Sequence, residues 1–127
     1  FGQCAGCDMT DLSRIMANRA ENVTARDPDL TVRYSLYTDD RHEWGILHIL
    51  DPEERVIGLE FFESEDSWRR PNAVDDYNMA AHEGYPASVV IPDEVFPQFI
   101  RSVHQRGGEG FSTYLLSELN LAPRIRA

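Results

Sequence analysis

EWGILHILDPEERVIGLEFFE, residues 43–63, decides the fold. Two apolar runs flank Asp51-Pro52-Glu53-Glu54-Arg55, a stretch rich in turn-forming residues, so the segment reads as a β-hairpin. Setting Leu50 against Val56 places Leu47 opposite Leu59, Ile49 opposite Ile57 and Gly45 opposite Phe61. That register predicts one apolar face and one mixed face, the latter carrying Trp44, Ile46 and His48 against Phe62, Glu60 and Gly58. Burial of Leu47, Ile49, Ile57, Leu59 and Phe61 contributes roughly 10 kcal/mol, at about 1.5–3 kcal/mol each, less what the unfolded chain already buries. A slip of one residue would exchange the two faces.

Upstream, Leu30, Val32, Tyr34 and Leu36 alternate with Thr31, Arg33, Ser35 and Tyr37, the period of a half-buried strand. Joined to the hairpin through Thr38-Asp39-Asp40-Arg41-His42, it completes a three-stranded antiparallel meander. A helix is expected before it, capped by Asp8 or Thr10, with Leu12, Ile15, Met16 and Arg19 on one stripe. Downstream, Pro71-Asn72 opens a short helix that ends at Gly84-Tyr85-Pro86. Ala87–Ile91 then reads as a fourth strand. A helix carrying Val95, Phe96, Phe99, Ile100 and Val103 follows and stops at Gly107-Gly108. The last expectation is a helix over 112–120. With 127 residues, the chain fits a single α+β domain over 1–127: an antiparallel sheet of about four strands, a meander plus one, with helices packed on one face. Residues 1–7 read as the remnant of a longer N-terminus.

Charge narrows the chemistry. All 12 basic residues are arginine. Without lysine the chain cannot form a Schiff base, build a Walker-type phosphate loop or use a Ser-x-x-Lys site. Of the net −10, −8 falls between Asp39 and Asp66, where ten acids meet only Arg41 and Arg55. Such a field repels a phosphate backbone, so nucleic acid is an unfavourable partner and a basic protein a favourable one. No apolar run approaches the roughly 20 residues that span a bilayer. No signal peptide is visible, and a cytoplasmic location is expected, although the chain opens on Phe1 rather than Met.

Three constellations carry candidate chemistry. Cys4 and Cys7 form a CxxC, which reads as a pair of inert thiols, as a zinc site or as a redox or disulfide pair; zinc needs four ligands, which a second chain could complete. His48 and Glu60 share the mixed face in the register above and are the candidate acid–base pair. Neither His42-Glu43 nor His82-Glu83 extends to a His-Glu-x-x-His metal motif. Glu63, Glu65, Asp66, Asp75 and Asp76 match no calcium loop and read as a solvated cluster. The leading expectation is a non-catalytic, acidic protein-binding domain of chaperone, adaptor or inhibitor type. It engages a basic partner through Glu53, Glu54, Glu60, Trp44 and Phe62; a homodimer contact is the other use of such an aromatic surface. The alternative is a metal-binding or redox protein centred on the CxxC.

Overall fold

The computed structural model describes residues 11–119. Helix α1 (Leu12–Arg26) leads into β1 (Thr31–Thr38), β2 (Glu43–Leu50) and β3 (Val56–Glu63). A 3-10 turn (Ser67–Arg69) and α2 (Ala73–His82) precede β4 (Ala87–Ile91). Another 3-10 turn (Asp93–Val95), α3 (Phe96–Gln105) and β5 (Ser112–Leu115) complete the regular elements, followed by a last 3-10 turn (Leu116–Glu118). Asp11 caps α1, accepting from the Arg14 amide at 3.3 Å. No described helix is long and apolar enough to cross a membrane.

The α+β class, the meander and the β4 strand are as expected. The sheet has five strands in the order β1-β2-β3-β4-β5, because 112–115 forms an edge strand instead of the expected helix. Ser112-Thr113-Tyr114 is β-branched and aromatic, a composition that favours extended backbone once β4 offers a neighbour. The meander is antiparallel, whereas β3–β4 and β4–β5 are parallel. Each parallel step requires a crossover, supplied by α2 and then by α3. Two crossovers of the usual hand, advancing in the same direction, lie on one face of the sheet.

The expected register holds at Leu50–Val56 and fails beyond it. A bulge leaves Ile57 unpaired, so Ile49 stands opposite Gly58, Leu47 opposite Glu60 and Gly45 opposite Phe62. The extra residue exchanges the faces of β3. Leu47, Ile49 and Phe62 pack with Leu12, Met16 and Val23 of α1. Leu59 and Phe61 pack on the other side with Tyr77 of α2, Phe99 of α3 and Val89. Helices therefore cover both faces, α1 on one and α2 with α3 on the other, instead of the single helical face expected from the sequence. Hydrophobic pattern could not fix this register, because β3 has apolar residues at both parities and its buried residues include Glu60 and Glu63 as well.

Gly45 shows how closely α1 approaches the sheet. A Cβ at this position would lie 2.3 Å from Met16 Sδ, so the fully buried Met16 occupies the space a side chain would need.

Candidate functional site

Two of the acids assigned to the surface are internal. Glu60 is 3 % exposed and receives Arg19 Nε at 3.0 Å and Arg19 Nη2 at 2.7 Å, a bidentate pair beneath α1. Glu63, 2 % exposed, accepts from Ser67 Oγ at 2.6 Å, Arg70 Nη1 at 2.6 Å and Tyr77 Oη at 2.5 Å. Burial and the neighbouring Glu63 carboxylate push the Tyr77 phenol well above its ordinary range. Arg70 also donates to the Ser67 carbonyl at 2.8 Å, and its guanidinium lies 3.9 Å from the centroid of the Trp44 ring. Arg70 Nη2 has no hydrogen-bond acceptor among the described residues. The Glu63 carboxylate compensates the charge of Arg70, and the electron-rich face of Trp44 lies against the guanidinium.

This arrangement corrects the site expected from the sequence. His48 stands opposite Leu59, while Glu60 points to the other face and is held by Arg19. The two cannot form an acid–base pair. Partial burial lowers the His48 pKa below its ordinary 6.5. Phe62, 1 % exposed, packs under α1, and Glu60 is enclosed beside it, so neither presents itself to a partner. Glu53 and Glu54 do remain exposed at the β2–β3 turn, and Trp44 is half-buried. Cys4 and Cys7 lie outside the described residues. Among those described, no group of three or more His, Cys, Asp or Glu side chains is placed to hold a metal ion.

What the fold leaves open is the β1 side of the molecule. β1 is an edge strand eight residues long, and only Val32 is half-buried; the other seven are exposed. Tyr34 and Leu36 project on the α1 side, Ser35 and Tyr37 on the other. Acids cluster at both ends of this strand. Asp29, Glu53 and Glu54 are exposed near Thr31, which pairs with Leu50. Asp39, Asp40 and Glu43 are exposed beyond Thr38.

Both turns are tied down by their own aspartates. Asp39 Oδ1 accepts from the amides of Arg41 and His42 at 2.9 and 2.7 Å, and Asp51 Oδ1 accepts from those of Glu53 and Arg55 at 2.9 Å each. Those amides, from Arg41 and Arg55 foremost, hold both carboxyl groups below the usual aspartate range.

Beside β1, on the face away from α1, a groove separates the sheet from α2. Ile46 and Phe61 form its floor, with Tyr37 and Trp44 on the sheet side. Asp76, Met79 and Glu83 line the helix side, with Tyr85 from the loop that follows. Tyr37 and Trp44 stack at 6.1 Å, and Arg70 packs on the Trp44 ring.

Sequence reasoning did not place Met79, Asp76, Glu83 and Tyr85 around one groove, and it read Asp76 as part of a solvated cluster. The available signal was Met79: an apolar residue off the buried stripe of α2, whose inward positions are Ala73, Val74, Tyr77 and Ala80. No protein-family model matches the chain, and no similar sequence is found among the curated proteins.

Proposed function

We propose that this chain is a non-catalytic protein-binding domain that takes a basic, extended segment of a partner onto the free edge of β1. The observation that carries this reading is the edge itself: eight residues long, with Tyr34, Leu36 and Tyr37 each about 40 % exposed, between two acidic ends. Edge strands present unpaired amides and carbonyls, and soluble proteins commonly blunt them with lysine, proline or a covering loop. β1 carries Arg33 and no lysine or proline. An added strand would satisfy these backbone groups while its side chains met the exposed tyrosines and leucine.

Charge selects the class of partner. A second copy laid on β1 in either direction brings acidic ends against acidic ends, which opposes self-pairing. A segment with arginines or lysines near its ends and apolar residues between them meets attraction instead.

Titration calorimetry with a short peptide alternating arginine and leucine tests the proposal. The expected affinity falls as salt is raised, because the acidic ends are exposed and screened. Leu36→Lys, which places a cation in mid-edge, is expected to weaken binding by at least tenfold. An affinity indifferent to both salt and Leu36→Lys would refute docking at this edge.

A further inference from the structure

We infer that the groove between α2 and the sheet receives a cationic side chain of the segment that docks on β1, so that it acts as the specificity pocket of the domain. This inference rests on the strand-addition reading and adds to it the place where charge is recognised.

The groove begins at Tyr37, a residue of the edge strand itself. A strand added beyond β1 would lie roughly 10 Å from β2, two strand spacings. From that position an arginine or lysine pointing to the α2 side passes over Tyr37 toward Trp44. Four aromatic rings, Tyr37, Trp44, Tyr85 and Phe61 of the floor, line the groove together with Asp76 and Glu83; none of its described lining residues is a cation, and Arg70 already covers one face of Trp44. Aromatic faces and carboxylates both favour a cation, and an anionic ligand would be repelled. The apolar floor and the exposed Met79 suit the methylene stem of a long basic side chain.

Two further observations fit this occupant. Arg70 is anchored by Glu63 and lies against Trp44, so the ring is oriented before any ligand arrives and little freedom is lost on binding. The surrounding protein raises the Asp76 carboxyl above its ordinary value, chiefly by removing water, with Glu63 and Asp75 adding repulsion against the opposing pull of Arg70. A cation in the groove would relieve that carboxylate.

The decisive experiment is a cycle between peptide and protein. The alternating arginine–leucine peptide is compared with the same peptide carrying citrulline, a neutral isostere of arginine, by fluorescence anisotropy. Each is titrated against the wild-type chain and against Asp76→Asn/Glu83→Gln, both exposed positions, with Leu36→Lys as a third protein. The citrulline peptide is expected to bind the wild type roughly tenfold more weakly, and the penalty is expected to shrink to about twofold in the double variant. An equal penalty in both proteins would overturn the groove as the place of charge recognition. Strand addition would still stand in that case if Leu36→Lys weakened both peptides. Persistent coupling with an unaffected Leu36→Lys would support the groove and overturn docking on β1, whereas a wild type that binds neither peptide would overturn both.

Discussion

Glu63→Gln is the sharpest test of the buried charge network. The substitution keeps the shape of the side chain and removes its charge. Arg70, 4 % exposed, would then be left as an uncompensated cation whose Nη2 already lacks a hydrogen-bond acceptor among the described residues. The three donors now converging on the carboxylate, from Ser67, Arg70 and Tyr77, would meet an amide that can accept only through one atom. Removing one partner of a buried pair typically costs about 3–5 kcal/mol. For a chain of this size that corresponds to a fall in Tm of about 10–20 °C. Differential scanning calorimetry of the wild type, Glu63→Gln, Arg70→Met and the double variant apportions the effect. Arg70→Met alone strands the carboxylate, but the double variant strands neither charge, so its cost should fall short of the sum of the singles by about 2 kcal/mol or more. Additivity within about 0.5 kcal/mol, or a Glu63→Gln cost below about 1 kcal/mol, would refute the pairing as a stabilising unit.

Three other outcomes follow from the packing. Gly45→Ala drives a Cβ into the flexible end of Met16 and should cost about 1 kcal/mol in urea denaturation, the low end for overpacking; Met16→Ala in the same chain should make Gly45→Ala nearly neutral, and an unchanged cost there would mean that α1 does not pack on Gly45. His48, whose folded pKa lies below 6.5 through burial, binds protons more readily when unfolded; stability should therefore fall as pH drops through 6.5 toward the folded value, and His48→Gln should flatten the Tm–pH curve in that window. Glu54 has φ 66° at the hairpin tip, in the left-handed region, so Glu54→Gly should raise stability by about 0.5 kcal/mol in chemical denaturation, the relieved strain exceeding the entropy of the added glycine. A loss of stability on Glu54→Gly would show that the turn does not hold that backbone conformation.

The sequence made the meander legible because three strands carry separate signals: the period of residues 30–38, the turn chemistry of 39–42 and the Asp-Pro loop of 51–55. It could not reveal the bulge. Ile57, Leu59 and Phe61 at odd positions and Val56 and Phe62 at even ones put apolar side chains on both faces, so Glu60 alone does not mark a polar side from which to read register. That one omitted residue misplaced Glu60 and Phe62 and produced the false pairing of His48 with Glu60. The β5 strand was missed for another reason. Four residues ending at Leu115 carry too little periodicity to oppose the helix-like spacing of Tyr114, Leu115 and Leu119, and only the neighbouring β4 decides their conformation.

Charge counting had a similar blind spot, and resolving it moves the proposed binding surface. The window 39–66 holds −8 by composition, yet the Glu60 and Glu63 carboxylates are paired internally with Arg19 and Arg70, which come from outside the window. The bidentate geometry at Glu60 and the stacking of Arg70 on Trp44 are suited to guanidinium, which presents a planar fork and a polarisable face that an ammonium lacks. The arginine-only composition is thus compatible with a fold that encloses its central carboxylates. Exposed acids remain at the two ends of β1 and, beside the groove, at Asp76 and Glu83, where they frame apolar side chains. A uniformly acidic sheet would attract any polycation; acids framing a strand edge and a groove favour a cationic segment only when its charges and apolar residues fall at matching intervals.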